Sequence, residues 1–145
     1  MALHLIKLCV GVDSIEELAA WQQARVAEQE RAGISPRIVH STFQSPKRGA
    51  ELLEGGSLFW VIKGTVQVRQ RLLGLEAGTR PDGRPACHIL LDPVLVPVRP
   101  VPRRAFQGWR YLSADDAPPD LSAIGKAAAD MPEAMRRELM ALGLL

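Results

Sequence analysis

The sequence predicts an α+β domain built around a largely antiparallel sheet. Three observations point there. Residues 57–76, SLFWVIKGTVQVRQRLLGLE, are rich in β-branched and aromatic side chains, which suit a pleated surface. Ser14 and Glu17 make a capping box ahead of a helical stretch. The element order is strand, helix, strand, short helix, then long strands joined by loops.

A chain of 145 residues is long enough for a single domain, 1–145, with a real core. Hydrophobic content of 47% and charged content of 23% place it among ordinary globular proteins. Cys9 and Cys87 are too few for a disulfide framework or a zinc site without other ligands. A reducing, cytoplasmic setting is therefore expected. Lys7 interrupts the first apolar run and acids follow at once, which does not suit a signal peptide. No run approaches the ~20 apolar residues of a membrane span.

Net charge is only +2, but it is unevenly spread. Residues 36–110 hold twelve Lys/Arg against five Asp/Glu, whereas the flanks 1–35 and 111–145 are net acidic. A basic centre suits a polyanionic partner; solvated arginines on exposed strand faces explain it equally well.

Taken in order, residues 4–10 form a first strand, with Leu3, Leu5, Lys7 and Cys9 on one face. The capping box opens a helix over 15–31 whose buried stripe is Ile15, Leu18, Ala19 and Val26, and Gly33 ends it. Trp21 reads as core or partner packing. A second strand covers 37–43. Ser45 and Pro46 then suit the cap and first position of a short helix that Gly55 and Gly56 terminate. This places Lys47 and Arg48 in its first turn, where the helix dipole opposes cations by about 0.3–1 kcal/mol each. An arriving anion would offset that cost.

Across 62–72, Ile62, Val66, Val68 and Leu72 share one strand face. Lys63, Thr65, Gln67, Arg69 and Arg71 share the other. A turn at 77–85 leads to a strand over 86–98 that Asp92 and Pro93 break. His88 and Asp92 would stand roughly 13 Å apart on a straight strand, too far to pair, so His88 reads as structural. Residues 99–112 interleave Arg99, Arg103, Arg104 and Arg110 with Phe106, Trp109 and Tyr111. That mixture suits base stacking with phosphate contact, or a closing strand with solvated arginines. A connector at 114–120 precedes a helical tail over about 120–145, with a stripe of Met131, Met135, Leu139 and Leu142. That tail suits packing or a homodimer face.

No Walker A loop, G-x-G-x-x-G, G-x-S-x-G or H-E-x-x-H occurs, and no metal or cofactor is implied. The chain resembles an uncharacterised bacterial family of short proteins, a domain of unknown function, in HLIKLCVG, PKR-x-x-ELL-x-GGSLFWVIKG and FQGWRYL. More distantly, residues 4–112 resemble the PUA-like superfamily, especially its EVE and ASCH branches. The likeness lies in a short helix leading to a glycine turn and strand, a strand ending in a small-residue turn, and a strand with a polar-Pro corner.

That resemblance implies a small mixed β-barrel with covering helices, and RNA or modified-nucleobase binding in a basic cleft beside the short helix. The residues expected to bind are Thr42, Gln44, Ser45, Lys47, Arg48, Trp60, Lys63, Arg69 and Arg71. An amidohydrolase-like enzyme acting on a modified nucleoside is an alternative, with Lys47, Thr42 and Glu76 as its nominees. A protein-interaction domain using the C-terminal helix is another.

Overall fold

A computed structural model describes residues 2–122. In chain order it contains β1 (His4–Leu8), α1 (Ile15–Arg31), β2 (Ile38–Thr42), α2 (Gly49–Leu52), β3 (Ser57–Ile62), β4 (Thr65–Thr79), β5 (Pro85–Leu91), β6 (Val96–Pro102) and β7 (Trp109–Leu112). The strands follow the path β2-β5-β4-β3-β1-β7, with β6 paired to β4. Every ladder is antiparallel apart from β1 with β3. That parallel pair needs a long crossover, which α1, β2 and α2 supply.

β3 and β4 form a hairpin over Lys63 and Gly64, whose φ of 50° and 76° fit a two-residue turn with both residues left-handed. Every residue of β3 is buried. Leu58, Trp60 and Ile62 enter one apolar cluster with Leu5, Leu18, Val68, Leu72 and Ile89; Phe59 and Val61 enter a second with Ile6, Val66, Val98 and Leu112. The expected single face of Ile62, Val66, Val68 and Leu72 is thus corrected. Trp60 pairs with Val68 and Val61 with Val66, so Gln67 is an extra residue. This bulge moves Val66 to the opposite face. A second irregularity between Leu72 and Gly74 leaves Leu73 exposed. β4 pairs with β3 and β6 in its first half and with β5 in its second.

The helix α1 starts as the capping box requires, with the Ser14 hydroxyl accepting from the Glu17 N–H at 3.1 Å. The Glu17 carboxylate accepts from the N–H of Asp13, one residue earlier than a full capping box. Leu18 is buried, and Ile15 and Val26 pack beside it. One turn beyond Leu18 the buried residue is Gln22.

The short helix departs from expectation. It is one turn, Gly49–Leu52, and Ser45 does not cap it: Arg48 occupies the N-cap position without a side-chain cap bond. The reason lies in the preceding loop. The Gln44 carbonyl accepts from the Thr42 hydroxyl at 2.9 Å and from Trp109 Nε1 at 2.7 Å, and the Arg48 N–H donates to the Tyr111 hydroxyl. These bonds hold residues 43–48 against β7. Lys47 and Arg48 therefore precede the helix, and the dipole argument for an anion there lapses. Gly56, at the entry to β3, has no room for a Cβ, which would lie 2.3 Å from the carbonyl oxygens of Leu3 and Leu52.

The break at Asp92 forms as expected, with its carboxylate accepting from the Val94 N–H at 2.8 Å. Residues 113–120 return across β6, where Asp120 bridges Val98 and the Arg99 N–H donates to the Pro119 carbonyl. The expected stripe of Met131, Met135, Leu139 and Leu142 lies outside the described residues. So does the homodimer face it was to supply. β2 and β7 end the sheet path, and among the described residues no ladder joins them, so the expected barrel closure is not seen.

Candidate binding cleft

The unjoined ends of the sheet enclose a cleft of about 950 Å³. Residues from β1, β2, β7 and α1 wall it, with Trp60 of β3 among the lining. Strand parity sets what faces inward. Lys7 shares a face with Leu5, which is fully buried. It stands in register with Trp60 on β3 and with Trp109 on β7. The result is a Trp60–Lys7–Trp109 row across three neighbouring strands. All three residues line the cleft.

From β2, His40 meets Trp60 edge-to-face, with ring centroids 5.1 Å apart. Thr42 is buried on the same face. From α1, Leu18, Trp21 and Gln22 complete the wall; Trp21, expected in packing, is 52% exposed at the mouth. Phe43, also at the mouth, lies beneath the Arg80 guanidinium at 3.8 Å.

A closed amide network fixes Trp60. Gln22 and Gln70 exchange two hydrogen bonds of 2.9 Å, Trp60 Nε1 donates to Gln70 Oε1, and Gln70 Nε2 also donates to the Asp92 carbonyl. Gln70 is wholly buried, yet both its polar atoms are satisfied. Sequence reading missed this network. The available signal was a glutamine at an inward position between Val68 and Leu72.

Electrostatically the cleft is one-sided. Its described lining holds Lys7 and Arg110 and no carboxylate. Among the described residues no ion pair engages Lys7. Burial lowers the Lys7 ammonium below its ordinary value. Burial also lifts the Cys9 thiol to about 11 and, with help from Lys7, lowers His40 to about 4. Near neutral pH, then, Cys9 and His40 are both uncharged. Among the described residues, His40 Nε2 is buried without a partner.

Of the expected binding residues, the cleft gathers Thr42, Gln44 and Trp60. The Thr42 hydroxyl is spent on the Gln44 carbonyl, so Thr42 shapes the loop. Ser45, Lys47, Arg48, Lys63, Arg69 and Arg71 are not in the lining. Arg48 pairs with Glu51 and lies over Tyr111; Lys63 is 3.8 Å from Asp13 in the hairpin turn. Arg69 grips Asp120 through two bonds, at 2.8 and 2.9 Å, and donates to Ser57, so it anchors residues 113–120. Arg71 is exposed on β4. The hydrolase nominees also separate. Thr42 lines the cleft, whereas Lys47 does not and Glu76 is taken by Arg37. His88 stands opposite Ser41 in the β2–β5 ladder, its Nδ1 2.7 Å from the Ser41 hydroxyl. Lys7 and His40 are not among the expected binders, and Trp109 and Arg110 read only as part of a segment suiting either base stacking or a closing strand, because nothing local in the sequence shows that β1, β2 and β7 converge.

Residues 5–145 match the family described as protein of unknown function (DUF1489), and the chain belongs to it. Neither a curated protein nor a solved structure matches the sequence. No described helix is long and apolar enough to cross a membrane.

Proposed function

We propose that this chain is a nucleic-acid binding module that takes a nucleobase, plain or modified, into the cleft between β2 and β7. One observation carries the reading: a cleft of about 950 Å³ sets Trp109, with the buried Trp60 behind it on the same row, beside polar groups from Lys7, His40 and Gln44, with no carboxylate in its described lining. Aromatic walls accept a planar ring by stacking. Neutral and cationic polar groups at the edges then favour an electron-rich ligand over a cation.

The PUA-like resemblance supports the same reading. The short helix, glycine turn and strand that carry it are α2, Gly55–Gly56 and β3. A partly open barrel, with α1 over the seam, is the architecture this implies. Two free thiols, Cys9 and Cys87, fit a reducing cytoplasmic setting.

Arg103, ahead of β7, and Arg110, within it, both lie against Phe106. A strand of nucleic acid carrying the base would lay its phosphates there. Tryptophan fluorescence during titration with short single-stranded RNA and DNA at ~50 mM salt tests the reading. Base–aromatic stacking is worth about 1–3 kcal/mol, so Trp109→Ala should weaken binding roughly five- to 150-fold. Trp109→Phe keeps a stacking ring and should lose less. Absence of binding, or binding indifferent to Trp109, defeats the proposal.

A further inference from the structure

Lys7 stands where a strand facing an apolar core ordinarily carries another leucine. Its neighbours on that face are Leu5, buried, and Cys9, partly buried against the same cluster. Its cross-strand neighbours are Trp60 and Trp109. Among the described residues, the ionisable groups that interact with it, Cys9 and His40, are neutral near pH 7. The other cation in the described lining, Arg110, is exposed and lies against Phe106. A half-buried cation without a counter-ion is unfavourable by itself, and its field is poorly screened between apolar walls.

We propose that Lys7 selects a ligand whose planar ring bears an anionic oxygen group, a carboxylate or a phosphate, seated on the Trp60–Lys7–Trp109 row. This deepens the nucleobase reading and rests on it for the ring, but the charge requirement rests on Lys7 alone. The ring stacks against Trp109 while the anion completes the charge pair that the described residues leave open. A neutral base gains the stacking and leaves the ammonium unpaired. Selectivity thus comes from the lack of an acid in the cleft's described lining as much as from an attractive contact.

Calorimetric titrations at pH 7 with five probes separate the possibilities: uracil, uracil-6-carboxylate, uridine, uridine 5′-monophosphate and indole-3-carboxylate. At least one anionic base probe should bind ten-fold or more tightly than its neutral counterpart. Lys7→Gln should erase that preference, and Lys7→Arg should retain part of it. Circular dichroism establishes that each variant is folded. Preference for uracil-6-carboxylate places the anion on the ring; preference for the monophosphate places it on the sugar. If only indole-3-carboxylate binds and Lys7→Gln abolishes it, the charge inference stands and the nucleobase reading fails. Equal affinity for neutral and anionic probes, a preference that survives in Lys7→Gln, or no binding by any probe overturns the inference.

Discussion

Gln70 carries more of this fold than its residue type suggests. It joins α1, β3 and the Asp92 bend through four hydrogen bonds in a buried setting. Leucine there would fit the volume and strand the Trp60 indole N–H, the Gln22 amide and the Asp92 carbonyl. Each buried group left unpaired costs about 1–3 kcal/mol. Gln70→Leu should therefore destabilise by at least ~3 kcal/mol, read from urea denaturation. Gln22→Leu added to it should cost less than the sum of the single changes, because the pair is lost together.

His40 makes a separate prediction. Its folded value, about 4, lies below the ordinary 6.5, so the unfolded chain binds the extra proton between those limits. Stability held above pH 6.5 then falls as pH drops toward 4, by on the order of 3 kcal/mol. In His40→Gln the slope of stability against pH across that window should flatten; an unchanged slope would show that His40 is not the group responsible. Asp120 acts lower, since its bond to Arg69 depresses it below the usual carboxylate range. Its contribution is present above that range and is lost as pH falls through the folded value.

At the scale of elements, β1, α1, β2 and the broken β5–β6 strand were legible because each rests on a local pattern: alternation, a cap, or a proline bend. The single-face reading of residues 62–72 failed because a bulge is set by the partner strand. It leaves no mark in the sequence of β4 itself. The short helix failed for a like reason. Ser45 and Pro46 carry a helix-start signal, but bonds to Trp109 and Tyr111, far along the chain, hold residues 43–48 in a non-helical loop.

The candidate site was less legible than the fold. Thr42, Gln44 and Trp60 line the cleft, whereas Arg69 is paired with Asp120 away from it, and an exposed-face arginine and an ion-paired one look alike in sequence. Arg69→Ala should consequently lower thermal stability and leave oligonucleotide affinity nearly unchanged, a result opposite to that expected of a phosphate contact. Gly56→Ala belongs to this scale too. Forcing a methyl against two carbonyls should cost about 1–3 kcal/mol or more, measured by thermal melting.

For the whole molecule, β1 sets the terms. It comes first in the chain, yet it lies between β3 and β7, pairing Leu5 with Leu58 and His4 with Leu112. A ribosome releases β1 long before either neighbour exists. Until then its pairing edges, and Lys7 among its apolar neighbours, have nothing to hold them in place. Because closing such distant pairs is entropically slow, refolding should take milliseconds to seconds, as in other domains dominated by non-local contacts. The last strand of the described residues also brings Trp109, so the described wall of the cleft is completed only when synthesis has passed β7. Completion of the cleft is thereby a late event in the life of each new chain, and a nascent chain stalled before residue 109 would carry half a pocket.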